Sequence, residues 1–200
     1  QAGCRYAEPD TCMRTNDIVF TQVHEASVYF TGPSWSVTDS AGNDVLRHET
    51  DAAPKPHRPR LRRRRLKGKT LMFATSAGAQ CYYHWMLEIL PKLGLLQRES
   101  IALESIDHLL VRKITGNWQL ETLERFGFRR SRIVETEKQP HMECDTLIHV
   151  DINCGINLKM HRFIPLWMKH LFPAEASGRP RLKLYISRPE GVRRGVSNEA

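Results

Sequence analysis

The sequence predicts an α/β fold: a Rossmann-like domain on a parallel sheet, preceded by a small N-terminal β meander and followed by the opening of a second domain. Three observations carry this. From residue 70 onward, short apolar β segments alternate with stretches of helical period, at the lengths of βαβ units. Before residue 50 the pattern is short strands punctuated by turn residues. Near the C-terminus a new strand, 182–187, starts after a proline-bounded connector at 173–180.

The chain has 200 residues and 40% hydrophobic content, enough for one sizeable packed domain. No run approaches ~18 apolar residues, so no spanning helix is read, and no charged-then-apolar leader marks a signal peptide. The start at Gln1 without methionine, and a last strand with only a dozen residues after it, lead us to expect a cut chain at both ends. The five cysteines (Cys4, Cys12, Cys81, Cys144 and Cys154) lack the paired spacings of a zinc site. A reducing compartment is the simpler reading, with a Cys4–Cys12 bridge as the alternative for a secreted chain.

The net charge of +8 is local. Arg58, Arg60, Arg62, Arg63, Arg64, Arg65, Lys67 and Lys69 are eight basic residues with no acid among them, so the remainder is neutral on balance. Such a run reads as a solvated connector or as a peripheral contact for an anionic membrane. It has no interleaved aromatics for base stacking, which weighs against nucleic acid.

In order, residues 1–50 hold the meander: β segments at 18–20, 26–30, 35–38 and 45–46, with Gly32-Pro33 and the stretch 40–44 as turns. It is too short to own a large core. Residues 51–69, with Pro54, Pro56 and Pro59, read as a basic linker. Residues 70–175 form the Rossmann-like unit. Its strands fall at 70–75, 108–111, 132–134 and 146–150. A helix capped by Asn117 carries Leu120, Leu123 and Phe126 on one face and stops at Gly127. The segment 158–172 is helical but interrupted by Pro165, and residues 181–200 begin the second domain.

The stretch 81–96 is nearly all apolar except His84, Glu88 and Lys92, which recur at four-residue steps and form one polar stripe on a buried helix. Ionisable groups there need partners or water, so the stripe points to a cleft. The bland reading is structural: Glu88 before Lys92 is the favourable orientation for a helix pair, contributing roughly 0.3–0.5 kcal/mol. Pro91 forces a kink or a restart. A second cluster, Ser187, Arg188, Arg193, Arg194 and Asn198, follows the last strand, where loops at strand ends favour anions and forked arginines match a diphosphate.

Two segments together resemble signatures of glycosyltransferase family 61. Residues 82–93, YYHWMLEILPKL, are similar to its N-Y-Y-H-W-L-L-D-x-L-P-R-L signature, and 184–188, YISRP's first four residues with the preceding leucine, together with Arg193-Arg194 and Asn198-Glu199, to its Y-I-S-R…R-R…N-E signature. The turn at 39–44 also fits the family's N-terminal region. The resemblance implies a GT-B architecture, with the site in the cleft between two Rossmann-like halves. It implies a glycosyltransferase that moves a sugar from a nucleotide-sugar, such as a UDP-sugar, to a glycan or protein acceptor, as in capsular polysaccharide biosynthesis. By position, His84 and Glu88 take the catalytic places, either one as general base, and Tyr83 and Trp85 line the acceptor side. Ser187, Arg188, Arg193, Arg194 and Asn198 address the donor. No metal or other cofactor is implied. The expected location is the cytoplasm, with membrane association, in a bacterial cell, or the secretory-pathway lumen in a eukaryotic one. As cut, the chain is expected not to turn over alone. Cys81 stands where the family has Asn, and Glu88 where it has Asp. The competing classes are a non-enzymatic basic module for anionic membrane or nucleic acid, and an inactive transferase-like protein.

Overall fold

The strand RRLKGKTLMFA (β5, Arg64–Ala74) is the axis of the protein. The computed structural model describes residues 5–6, 18–32, 34–48, 63–75, 77–152 and 163–172. Within them lie β1 (Arg5–Tyr6), β2 (Ile18–Thr31), β3 (Ser34–Thr38), β4 (Asp44–His48), β5, β6 (His108–Val111), β7 (Ile133–Glu135) and β8 (His141–Ile152). The helices are α1 (Tyr82–His84), α2 (Pro91–Arg98), α3 (Asn117–Glu124) and α4 (Phe163–Leu171).

The strands form one mixed sheet in the order β4-β3-β2-β8-β5-β6-β7, with β1 beside β2. Strands β5 to β8 run parallel where they pair, whereas β2, β3 and β4 are antiparallel, and β2 is antiparallel to β8. The fold is α/β. The chain moves outward from β5 through β6 to β7, then returns to β5's other side as β8. That reversal makes the β5/β8 boundary a topological switch point, the place where open α/β sheets leave a crevice beyond the strands' carboxyl ends.

Alternation explains why β5 is apolar on both faces. Leu71 and Phe73 face the helices with Leu109, Val111, Ile148 and Val150. Met72 joins Leu110, Val134 and Leu147 in a second core with Val28, Phe30, Trp35 and Val37. Sheet residues, not helices, cover this second face, because the sheet bends. The β5–β8 register shifts between Leu66 and Lys69, and Gly68 sits there at φ +81°. Asp145 accepts the Gly68 N–H at 3.1 Å, and Asp107 accepts that of Lys69 at 2.8 Å. Glu25, at φ +49°, lies at the same level of β2. The extent of the bend shows at Trp35. Its ladder partner Phe30 bonds Pro140, just before β8 starts, yet the Trp35 ring meets His149 near the other end of β8, at 5.2 Å.

Several expectations change. Strands expected at 18–20 and 26–30 are one strand, β2, which pairs along β8 from Ile18↔Ile152 to Tyr29↔His141. The expected meander therefore shares a sheet with the parallel strands rather than standing as an appendage. The expected linker 51–69 gives up Arg64–Lys69 to β5; the rest of it before residue 63 lies outside the described residues. Acidic neighbours on β8 make a basic strand tolerable: Arg63 pairs with Glu143 at 2.8 Å and Arg65 with Asp145 at 3.0 Å. Gly116, not Asn117, is the N-cap of α3, because Gln119 folds back to accept the N–H groups of Thr115 and Gly116 at 2.7 and 3.1 Å. Helix α4 spans Phe163–Leu171 and runs through Pro165; the expected helical residues 158–162 lie outside the described residues. Residues 173–200, with the expected connector and last strand, lie outside the described residues.

Candidate functional site

Pro91 shapes the site from below. Lacking an N–H, it cannot bond the Leu87 carbonyl, and its ring would clash there in a regular α-helix. The chain widens instead into a π turn at Trp85–Ile89, closed by Leu90 N–H to Trp85 O at 2.8 Å, and restarts as α2 with Pro91 in its first turn. Such turns recur at functional sites because they re-aim side chains.

The turn carries the stripe. His84 Nδ1 lies 2.8 Å from Glu88 Oε2, with the two side chains 40% and 37% exposed. It is a close contact rather than an aligned hydrogen bond, since Nδ1 has no bond of good geometry. One turn on, Lys92 Nζ donates to the carbonyl of Phe73 at 3.2 Å, next to the carboxyl end of β5. Burial pulls the Lys92 pKa below that of an ordinary lysine, while Asp151 and Glu88 push it back up.

Asp151 and His149 come from the carboxyl end of β8, where His149 is the ladder neighbour of Met72 on β5. The His149 pKa is pushed down to about 3, first by burial and then by the positive Lys92 and by His48, so its ring is neutral. Its Nδ1 is buried without a hydrogen bond. Trp35 lies between this ring and His48, at 5.2 and 5.7 Å. His84, Glu88, Lys92, His149 and Asp151 thus gather at the β5/β8 switch point. The last two were missed from the sequence; their position at a strand's carboxyl end is the signal that could have found them.

Trp85 belongs elsewhere. It is fully buried, donates its indole N–H to Thr122 Oγ1 at 2.9 Å and packs edge-on against Phe73 and Trp118. It is a core residue and does not line an open cleft, because its neighbours close over both faces. Tyr83 is 52% exposed with its ring edge-on to His84, which keeps it beside the stripe. Ser187, Arg188, Arg193, Arg194 and Asn198 lie outside the described residues.

A separate groove of about 350 Å³ is lined by Glu25, Ser27, Arg63, Arg65, Glu143 and Asp145, among others. Its two arginines are already paired with its acids, so this part of the basic run presents little free positive charge. Among the described residues, no group of three or more His, Cys, Asp or Glu could hold a metal ion, and no helix is long and apolar enough to cross a membrane. No family model, curated protein or solved structure matches the chain.

Chemically, a carboxylate against an imidazole is a proton-accepting pair, and the nearby ammonium adds a fixed positive charge. The pair is open to solvent on one side and backed by core on the other.

Proposed function

We propose that this protein is a metal-independent glycosyltransferase, similar to family 61, with GT-B architecture. It moves a sugar from a nucleotide-sugar to a hydroxyl of a glycan or protein acceptor. The observation that carries the reading is the His84–Glu88 contact of 2.8 Å at the carboxyl ends of the parallel strands, beside the switch between β5 and β8. The strand order β7-β6-β5-β8, which matches one half of a Rossmann sheet, and the two signature-like segments support the same reading. In this mechanism His84 accepts the proton of the acceptor hydroxyl as the new glycosidic bond forms. Glu88, 2.8 Å from Nδ1, stabilises the imidazolium as it forms. The nucleoside diphosphate leaves with the electrons of the broken sugar–phosphate bond, and Arg188, Arg193 and Arg194 offset its growing charge.

The test uses the protein in its longest natural form. Nucleotide release is measured across a panel of UDP-, GDP- and CMP-sugars, with and without oligosaccharide acceptors, alongside calorimetric binding of each donor. The reading expects one donor class to bind and turn over, and His84→Ala and Glu88→Gln to lower turnover by about 10²-fold or more. Absence of binding and turnover with every donor would sink it.

A further inference from the structure

We propose that Lys92 is the positioning residue of the His84–Glu88 pair, tethering the helix that follows the π turn to the carboxyl end of β5. This rests on the functional reading above.

The argument begins with cost. Lys92 lies between Pro91 and Leu93, both buried, on a helix whose neighbours Leu95 and Leu96 are fully sealed. An ammonium drawn into such a place loses hydration, and a methionine of similar length would serve the fold alone at least as well. The sequence keeps a lysine, and the structure gives its charge specific company. Nζ bonds Phe73 O at 3.2 Å, fixing α2 to the last turn of backbone in β5. The charged groups that act on it are Glu88 from the π turn and Asp151 from β8, and His149 from β8 is the neutral group its charge disfavours from protonating. His48, on β4, completes the titratable groups around His149.

The tether acts beside the site. The His84–Glu88 contact spans the π turn and is half exposed, so the helix that follows is what anchors it to the sheet. Lys92 is the first charged group after it and the one bonded to the sheet. With α2 bonded to the sheet one turn beyond it, Glu88 is held against His84, and misplacement of such a group by about 1 Å can cost ~10²-fold in rate.

The experiment compares Lys92→Met, Lys92→Arg and Asp151→Asn in the full natural chain, reading the melting temperature, turnover and the imidazole nitrogen spectra of His84. The proposal expects Lys92→Met to melt at or above the wild-type temperature, its kcat to fall about 10²-fold with KM little changed, and its His84 signals to move. It expects Lys92→Arg to restore the wild-type His84 spectrum, and Asp151→Asn to move it by a smaller amount. Unmoved His84 signals in a folded Lys92→Met protein overturn the positioning role, whatever the turnover. If Lys92→Met fails to fold, unmoved His84 signals in Asp151→Asn overturn it instead. No turnover in the wild type, with His84 signals that do respond to Lys92→Met, sinks the glycosyltransferase reading and leaves the tether standing.

Discussion

Replacing Trp85 by phenylalanine separates packing from substrate contact at the centre of the signature-like segment. The indole is fully buried, and its N–H bond to Thr122, at 2.9 Å, is lost in the variant, a loss of about 1 kcal/mol. No orphan is left behind, because the Thr122 hydroxyl still donates to Gln119 O at 2.9 Å. The smaller ring loosens two edge-on contacts, to Phe73 and Trp118 at centroid distances of 5.6 Å, each worth about 0.5–1.5 kcal/mol. Nothing can move in from solvent to fill the gap. The sum is a loss of about 2–4 kcal/mol, within the range for truncating a large buried side chain. Urea denaturation followed by far-UV circular dichroism reads this loss, and donor and acceptor KM values should stay within about threefold of wild type. A Trp85→Phe protein of unchanged stability but tenfold higher KM would refute the core assignment.

Three further outcomes follow from other parts of the structure. A Cβ at Gly94 would collide with the Trp167 indole, which is held by stacking on Phe126 and Phe163. Gly94→Ala should therefore lose stability, the overpacking cost of about 1–3 kcal/mol outweighing a helix-propensity gain of about 1. A net gain on urea denaturation would mean that α4 does not pack there. His149 has a folded pKa of about 3 against an ordinary 6.5, so the unfolded chain binds the extra proton. Its contribution is fully present above pH 6.5 and lost as pH falls toward 3, reaching about 2 kcal/mol by pH 5. The fall in urea stability between pH 7 and pH 5 should shrink by that amount in His149→Gln. The Cys144 thiol is pushed up to about 11, chiefly by burial, whereas Cys81 is exposed. Iodoacetamide at pH 8 should label Cys81 and spare Cys144 in the native protein, as read by peptide mass spectrometry; equal labelling would contradict the burial.

The strands of the parallel sheet were legible because their apolar runs are short and bounded by turn residues. The readings 108–111 and 132–134 fall within a residue of β6 and β7. Gly127, at φ +80°, does follow the end of α3, as a left-handed position must when a helix closes on it. What could not be read is set by partners far along the chain. Arg64, Arg65 and Lys67 have no apolar alternation, and the ladder to β8, with Arg63–Glu143 and Arg65–Asp145 pairs some 80 residues apart, makes this stretch a strand. His24 and Glu25 break the apolar pattern of β2, yet ladder bonds to β8 carry the strand through them. At the site, four-residue spacing placed His84 and Glu88 together correctly, although the turn between them is π and not α. Trp85, one residue from His84, looked like a cleft residue because the motif is contiguous; burial turned it inward. Asp151 and His149 carry one signal in the sequence, their place at the end of the 146–150 strand, and the order of strands is what brings that end beside β5.

The central claim is that the His84–Glu88 pair does proton-transfer chemistry on a sugar acceptor. The most direct measurement is single-turnover sugar transfer by wild type and Glu88→Gln, at saturating donor and acceptor. The account predicts a chemical step at least about 10²-fold slower in the variant, with donor affinity unchanged. Transfer at the wild-type rate by a folded Glu88→Gln protein would contradict it.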